Sequence, residues 1–337
     1  MLDDVSLIAL LVAMGLYAAA FIAFALDLAR RSALVADAAT AAARQPSAVG
    51  ATAARRGGTA TIERDPASSG RDRAATGPDA PVAAGRSISL NVAMVLLVVG
   101  FVVHAVSTVL RGLAASRVPW ANMYEFAMTG TLLILSVYLI VLTRRDLRFL
   151  GTFVTGLVLI LLGVAVVQYR VEVAPLPPSL QSYWLVIHVF VAALGTGFFA
   201  LAFALSGVQL LQFRRESLAA DAKAAKMRFL ATLPDSVTLE SMAYRLNIVG
   251  FIFWTFTLMA GAVWAERAWG RYWGWDTKEV WTFIIWVLYA GYIHARATRG
   301  WRGSRSAWLA IIGFSAVMFN FGVVNVFFKG LHTYSGL

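Results

Sequence analysis

Six of the eleven tryptophans in this chain fall within residues 264–286, and three of them lie in the run WGRYWGWD at 269–276. Tryptophan offers a large flat surface with one N–H donor. An aromatic belt at a membrane boundary would account for one or two such residues at each helix end. It does not account for two Trp-Gly steps and an aspartate within eight residues. The spacing therefore favours a platform for a flat aromatic ligand.

The chain has only four histidines, and two of them are placed to flank this loop. His188 lies one to two turns inside an apolar run that starts near Tyr183, and His332 lies just beyond another that ends near Phe328. Neutral imidazole is a common ligand of haem iron. Because both histidines are expected at the same membrane face as the loop, we predict that they hold a porphyrin iron from two sides. Helix packing for His188 and solvation for His332 are the less favoured interpretations.

The other two histidines lie at different depths. His294 is expected about 20 Å below the outer end of its helix, at a rise of 1.5 Å per residue. It cannot share an iron with His188 or His332, and either ligates a second haem or bonds a neighbouring helix. His104 is expected in the outer part of helix two, too far from His294 to pair with it, and we predict that it packs internally.

The elements that must position these residues are membrane helices. The chain has 337 residues, of which 59% are apolar and 14% are charged. A soluble domain is about half apolar and about a quarter charged, so the composition predicts an all-α, polytopic transmembrane bundle. Apolar runs near the length that spans a bilayer, roughly 20 residues, predict about eight spans. They lie at 5–27, 88–110, 123–142, 149–168, 183–212, 246–265, 280–295 and 306–328.

Basic residues predict the orientation of the bundle. Of the 29 lysines and arginines, 22 lie in the segments 29–87, 143–148, 213–245 and 296–305. The positive-inside rule makes these segments cytoplasmic, so both termini and the Trp-rich loop are expected on the outer face of the cell membrane. The net charge of +11 then reflects topology and lipid contact, and nucleic acid is not an expected partner.

The chain divides into three expected regions. Residues 1–30 form a first helix, read as retained and not as a signal peptide. Residues 31–87 have the composition of a disordered cytoplasmic linker, and 88–337 form the rest of the membrane domain. No cysteine is present, so any thiols in its chemistry belong to a partner.

Three polar pairs or runs carry weaker signals. Asn122 and Glu125 begin helix three. Glu125 is either buried, where it orients a ligand or neutralises a nearby cation, or it lies at a solvated helix start. Asn320 and Asn325 are expected to form interhelical hydrogen bonds. Residues 175–184 are expected to form a rigid extended loop that leads to His188.

Several runs, in order, resemble one family. They are NMYEF (122–126), LPPSLQSYWLVIHV (176–189), ESMAYRLNIVGF (240–251), WGRYWGWDTKEVW (269–281) and GLHTY (330–334). Together they resemble the CcsA/ResC proteins of system II cytochrome c maturation, whose actinobacterial members are often labelled CcsB. The wider group shares a "WWD" domain and includes CcmC and CcmF. The resemblance covers helices two to eight.

The resemblance implies a function and a set of partners. The external WWD loop, within 264–281, would bind haem b; His188 and His332 would be the two external ligands, and His294 the intramembrane one, with its partner ligand from a ResB-type subunit. The complex would act as a cytochrome c haem lyase, joining the haem vinyl groups to the CXXCH thiols of an apocytochrome c. Thiol-reducing thioredoxin-like proteins are further expected partners. No role for His104 is implied.

We expect the loop from Trp269 through Trp273 and Trp275 to Asp276 to clamp the haem, with Asp276 orienting the loop. Arg271 is expected to bind the haem as well, and Arg271, Arg267, Lys278 and Lys329 are candidate partners of the two propionates. No catalytic acid, base or nucleophile is evident. The alternatives are a haem exporter that makes no thioether, a b-type electron carrier, and an assembly subunit without haem.

Overall fold

The computed structural model describes residues 1–44, 87–176, 178–218, 228–328 and 330–332. Within these ranges the chain is helical with no β-strand, which confirms the predicted all-α class. The described ranges contain eight long helices, which we number in chain order. They are α1 Leu2–Arg44, α2 Ile88–Ala115, α3 Met123–Leu142, α4 Gly151–Gln168, α5 Tyr183–Ser217, α6 Ser236–Trp269, α7 Thr277–Thr298 and α8 Ser304–Phe319. A π-helical segment, Asn320–Val324, and a last turn, Asn325–Phe327, continue α8.

Seven of the eight helices are long and apolar enough to cross a membrane. The exception is α7, whose 22 residues span about 33 Å but include charged residues at both ends. It is nevertheless packed into the bundle, because Trp254 and Trp286 donate indole N–H bonds between α6 and α7. The chain is therefore a multi-pass membrane protein.

Several helices extend beyond the apolar runs that predicted them. Helix α1 continues to Arg44, so residues 31–44 are helical and the expected linker cannot begin at residue 31. The remainder of that predicted linker, 45–86, lies outside the described residues. Helix α5 runs to Ser217, and α6 starts at Ser236, ten residues before its apolar run. An apolar run marks the part of a helix in lipid, whereas the hydrogen-bonded backbone continues into polar sequence.

Two antiparallel pairs build the bundle. In the first, α1 lies along α2: Ser6 and Ser107 exchange hydrogen bonds of 2.8 and 2.7 Å at one end, and Asp27 accepts bonds from Ser87 and Ser89 at the other. In the second, α5 lies along α6, with Gly195 against the Gly250 backbone midway. One continuous apolar core joins both pairs to α3, α4, α7 and α8.

Both ends of the described chain lie at the same end of the bundle. Asp3 at the start of α1 pairs with Arg111 near the end of α2, and Arg111 pairs at 3.0 Å with Glu125 at the start of α3. Asn325, beyond α8, donates to the sulfur of Met123 at the same level. The helices therefore cross the bundle an even number of times, as the charge pattern predicts.

Glu125 resolves one of the alternatives left open by the sequence. Its side chain is fully buried and binds Arg111 and Arg117, and it also accepts a bond from the Ala121 N–H. The solvated helix start is therefore wrong, and Glu125 neutralises buried cations. Asn122 caps α3 by accepting from the Glu125 N–H at 2.9 Å.

Candidate functional site

A cavity opens at this end of the bundle, bounded by α3, α5, α6, α7 and α8 and by the Trp-rich loop between α6 and α7. His188 and His332, which were predicted to hold one iron from two sides, both line this cavity. Much of the wall is aromatic. The rings are those of Trp120, Phe126, Trp254, Trp264, Tyr272, Trp273 and Phe321. The structure thus brings two imidazoles from distant parts of the chain into one ring-lined space.

His188 is held by a backbone carbonyl on the neighbouring helix. Its Nδ1 lies 3.0 Å from the carbonyl oxygen of Thr257 on α6. A carbonyl only accepts, so Nδ1 must carry the proton, and Nε2 keeps its lone pair. A histidine that ligates a metal usually donates its other ring N–H in this way.

The space for that imidazole depends on Gly261. A Cβ at this position would lie 2.7 Å from Cε1 and 2.9 Å from Nδ1 of His188. Non-bonded contacts of a Cβ atom are essentially never shorter than 3.0 Å, so either the imidazole or the helix backbone would have to move. The absence of a side chain at Gly261 is what allows the ring to lie flat against α6.

His332 is held in the same manner by Asp276. Its Nδ1 lies 3.2 Å from a carboxylate oxygen of Asp276, the residue that caps α7. Burial by itself raises the pKa of this carboxyl. The hydrogen bond from His332 and the backbone N–H bonds of Lys278 and Leu331 outweigh burial, so the pKa lies well below its usual value. Asp276 therefore stays an acceptor, so in the neutral imidazole of His332 the proton lies on Nδ1 and the lone pair on Nε2.

Trp264 links the two histidines. Its buried ring stacks on His188 with centroids 5.8 Å apart and meets His332 edge-on at 5.4 Å. Trp269 contacts both Trp264, at 4.7 Å, and His332, at 4.8 Å. Trp264 belongs to the predicted tryptophan cluster but was not among the predicted site residues, because no spacing in the sequence shows which indole contacts both histidines.

The loop itself is shaped by backbone interactions. Gly270 ends α6 in the left-handed conformation, at φ 70°, which glycine adopts without a steric cost. Glu279 is buried and accepts the N–H groups of Gly274, at 2.8 Å, and Asp276, at 3.0 Å. With Asp276 it forms a capping box at the start of α7. Glu279 was missed, although D-x-x-E before an apolar run is a recognised signal.

Four of the five predicted loop residues do not line the cavity. Trp275 is 71% exposed and has a positive φ of 58°, which is unfavourable for a bulky side chain. Glu279 holds this turn because it binds the N–H groups on either side of Trp275. Arg271 pairs with Glu279 at 3.4 Å and lies over the Trp269 ring. Of the predicted loop residues, Trp273 lines the cavity, whereas Trp269 and Asp276 reach it through His332.

The remaining histidines are not part of this site. His294 on α7 has an exposed side chain and does not reach the cavity, in agreement with its expected depth. His104 is fully buried between α1 and α2, with Nδ1 3.2 Å from the hydroxyl of Tyr17. The prediction that His104 packs internally is confirmed.

The fold and cavity define a class: polytopic helical membrane proteins that bring two histidines and a tryptophan loop together at one membrane face. Residues 120–332 match the family described as cytochrome C assembly protein, and the chain belongs to that family. The match begins at Trp120 in the cavity wall and ends at His332. The resemblance to CcsA-type proteins given by the sequence motifs is thereby confirmed.

Relatives and a solved structure agree with this assignment. The chain is 36% identical over 245 residues to the cytochrome c biogenesis protein CcsA of Guillardia theta, covering 67% of this chain and 80% of that protein. The CcsA protein of Prochlorococcus marinus is 30% identical over 271 residues, covering 74% and 86%. The fold is similar to a structure named cytochrome c heme lyase CcmF, with a TM-score of 0.59 and 14% identity. That similarity covers 100% of this chain and 50% of CcmF, and it concerns the fold alone.

Proposed function

We propose that this protein is the membrane subunit of a system II cytochrome c synthase that binds haem b in the cavity through His188 and His332. One observation carries the proposal. Both imidazoles line one cavity, and each uses Nδ1 to donate to a fixed acceptor, which leaves two Nε2 lone pairs available to iron. This pairing of a metal-binding nitrogen with an anchored N–H is typical of haem and metal histidines.

The walls of the cavity suit the macrocycle. Haem has two large flat faces, and the aromatic lining offers rings that exclude water from them. The names of the CcsA relatives support a task in cytochrome c biogenesis for this chain as well.

The reaction that we propose is addition of each CXXCH thiol of an apocytochrome c across a haem vinyl group. The sulfur bonds to one vinyl carbon and the proton goes to the other, so no oxidant is consumed. The protein supplies no nucleophile of its own and contributes by holding the haem where the thiols reach it. A ResB-type subunit completes the complex, and thioredoxin-like proteins keep the thiols reduced, since this chain has no cysteine.

His294 has a separate role in the proposal. Its exposed position on α7 leaves it available to a residue of the partner subunit, with which it would hold a second haem within the membrane. The proposed orientation places the cavity on the outer face of the plasma membrane and the basic segments in the cytoplasm.

Absorption spectra of the purified protein, alone and with its partner, test the haem assignment. We expect His188→Ala and His332→Ala each to abolish or strongly reduce the haem bound in the cavity. His294→Ala is the matched control, because it removes an imidazole without touching the cavity and should leave this haem in place. Full haem occupancy and full cytochrome c yield in both cavity variants would contradict the proposal.

The same preparations separate the alternatives. Haem covalently attached to apocytochrome c, detected by its survival on a denaturing gel, distinguishes a synthase from an exporter. A complex with no haem absorption would instead support an assembly subunit.

A further inference from the structure

The cavity contains one cation whose position is not explained by the fold alone. Lys278 is the second residue of α7, is partly buried, and lines the cavity with His188 and His332. Its ammonium donates to the carbonyl oxygen of Asn320 at 2.9 Å and to the side-chain oxygen of Asn325 at 2.7 Å. An ammonium has three donors, so one N–H remains after these two bonds.

Both acceptors come from the irregular end of α8. Residues 320–324 form a π-helical segment. Such segments displace carbonyls from the regular ladder and are frequent at functional sites. Asn320 also points its amide at Thr282, and Asn325 reaches Met123. The expected interhelical bonds of Asn320 and Asn325 are thus confirmed. The two residues also supply both acceptors of the Lys278 ammonium.

Neither acceptor carries a charge. The two nearest carboxylates in the sequence are engaged elsewhere: Asp276 binds His332 and backbone N–H groups, and Glu279 binds Arg271 and the loop backbone. Within the described ranges, no carboxylate lies within ion-pair distance of the Lys278 ammonium. A cation beside apolar walls is costly without a counter-ion, so the site favours a ligand that brings an anion.

The other described cations that were candidates for this role face elsewhere. Arg267 lies over the ring of Tyr183, and Arg271 is bound to Glu279. Neither lines the cavity. Lys329, the fourth candidate, lies outside the described residues. Among the three that are described, Lys278 is the one that lines the cavity with the two histidines.

We infer that Lys278 is a positioning residue that receives a carboxylate of the tetrapyrrole through its third N–H. This inference rests on the proposed function. The histidines fix the iron, and a carboxylate on Lys278 fixes the rotation of the ring about the iron. The vinyl groups lie on the opposite edge of protohaem from the propionates, so that rotation decides where they are presented to thiols.

A titration of the full-length protein in complex with its partner tests this inference. Iron protoporphyrin IX is compared with its dimethyl ester, which lacks both negative charges, and binding is followed by the absorption of the bound haem. We expect wild type to bind the ester about tenfold more weakly or worse, as for the loss of a charge-assisted hydrogen bond. Lys278→Met should bind haem as weakly as wild type binds the ester, and should no longer distinguish the two compounds. Lys278→Arg should keep the preference.

Arg267→Met is the matched control, because it removes a cation at the same end of the bundle but outside the cavity. It should behave as wild type. Equal binding of haem and ester by wild type overturns the inference and leaves the proposed function standing. Binding of neither compound by wild type overturns both. The ester comparison uses the unaltered protein, so it decides the question even where Lys278→Met does not fold.

Discussion

Each of the two cavity histidines is oriented by an acceptor on a different element. Thr257 on α6 holds His188, and Asp276 at the start of α7 holds His332. Neither acceptor is free to move, since one is a helix backbone carbonyl and the other is fixed by a helix cap. Their rigidity fixes the direction in which each Nε2 points, and such fixed orientation of ligands is what a metal site needs.

Gly261 gives the most direct test of this orientation. In Gly261→Ala the added methyl would lie 2.7 Å from Cε1 of His188, so the imidazole must tilt and lose its bond to Thr257. We expect haem to bind about fivefold more weakly or worse, in proportion to one lost hydrogen bond. A haem titration of the purified variant measures the change.

Gly207→Ala is the control for that change. Gly207 lies on α5, the helix that carries His188, and a methyl there meets nothing within 4 Å. Alanine in an open helical position is neutral or slightly stabilising. If Gly261→Ala binds haem as tightly as Gly207→Ala does, haem binding does not depend on the present position of the His188 ring.

The chemistry of individual residues could be predicted only in part. His188, His332 and Asp276 were found because histidine is rare in this chain and the run at 269–276 is distinctive. Trp264 contacts both histidines only in the folded chain, and Lys278 was one of four candidate partners of the propionates until its contacts with the π-helical end of α8 set it apart. Trp281 and Trp286, counted in the same cluster, pack against Phe319 and Thr255 and serve the bundle.

At the scale of elements, the start of α7 joins the loop to the site. Asp276 and Glu279 form the capping box, Asp276 also holds His332, and Lys278 lines the cavity. The first turn of α7 and its cap therefore fix the conformation of the loop, orient His332 through Asp276 and place the cation of Lys278 at the cavity. The sequence predicted this helix but started it at residue 280, since apolar runs do not include the polar first turn of a helix.

Glu279→Ala tests whether this turn shapes the site. It removes the acceptor of two loop N–H groups and of Arg271, so we expect about 1–3 kcal/mol of stability to be lost. The loop would relax around Trp275, and His332 would lose its fixed position with it. We expect a lower thermal unfolding temperature together with weaker haem binding.

Asp235→Ala is the matched comparison, because Asp235 caps α6 by accepting from Thr238 at the opposite end of the bundle. Loss of a cap costs about 0.5–2 kcal/mol. This variant should therefore unfold at a lower temperature but bind haem normally. Parallel losses of haem in both variants would show that general stability, and not the first turn of α7, controls the site.

At the scale of the whole molecule, charge is distributed unequally between the two ends. Of the 29 lysines and arginines, 22 lie in the segments assigned to the cytoplasm. Several of those at the cavity end are neutralised: Arg111 and Arg117 pair with Glu125, and Arg170 lies 3.6 Å from Asp3. Ion pairs also neutralise Arg31, Arg148 and Arg296 at the other end, so the orientation predicted by the positive-inside rule depends on the larger number of basic residues there.

The orientation can be measured directly, because the chain contains no cysteine and a single introduced thiol is its only reactive one. Tyr272→Cys places a thiol on the loop, where the side chain is 63% exposed, and Ser217→Cys places one at the far end of α5. We expect a membrane-impermeant maleimide to label Tyr272→Cys in intact cells and Ser217→Cys only after permeabilisation. The unaltered protein shows the background. The reverse pattern would place the cavity on the cytoplasmic face, where it could not deliver haem to an apocytochrome outside the membrane. That result would contradict the proposed synthase function but would leave the described packing of the helices unchanged.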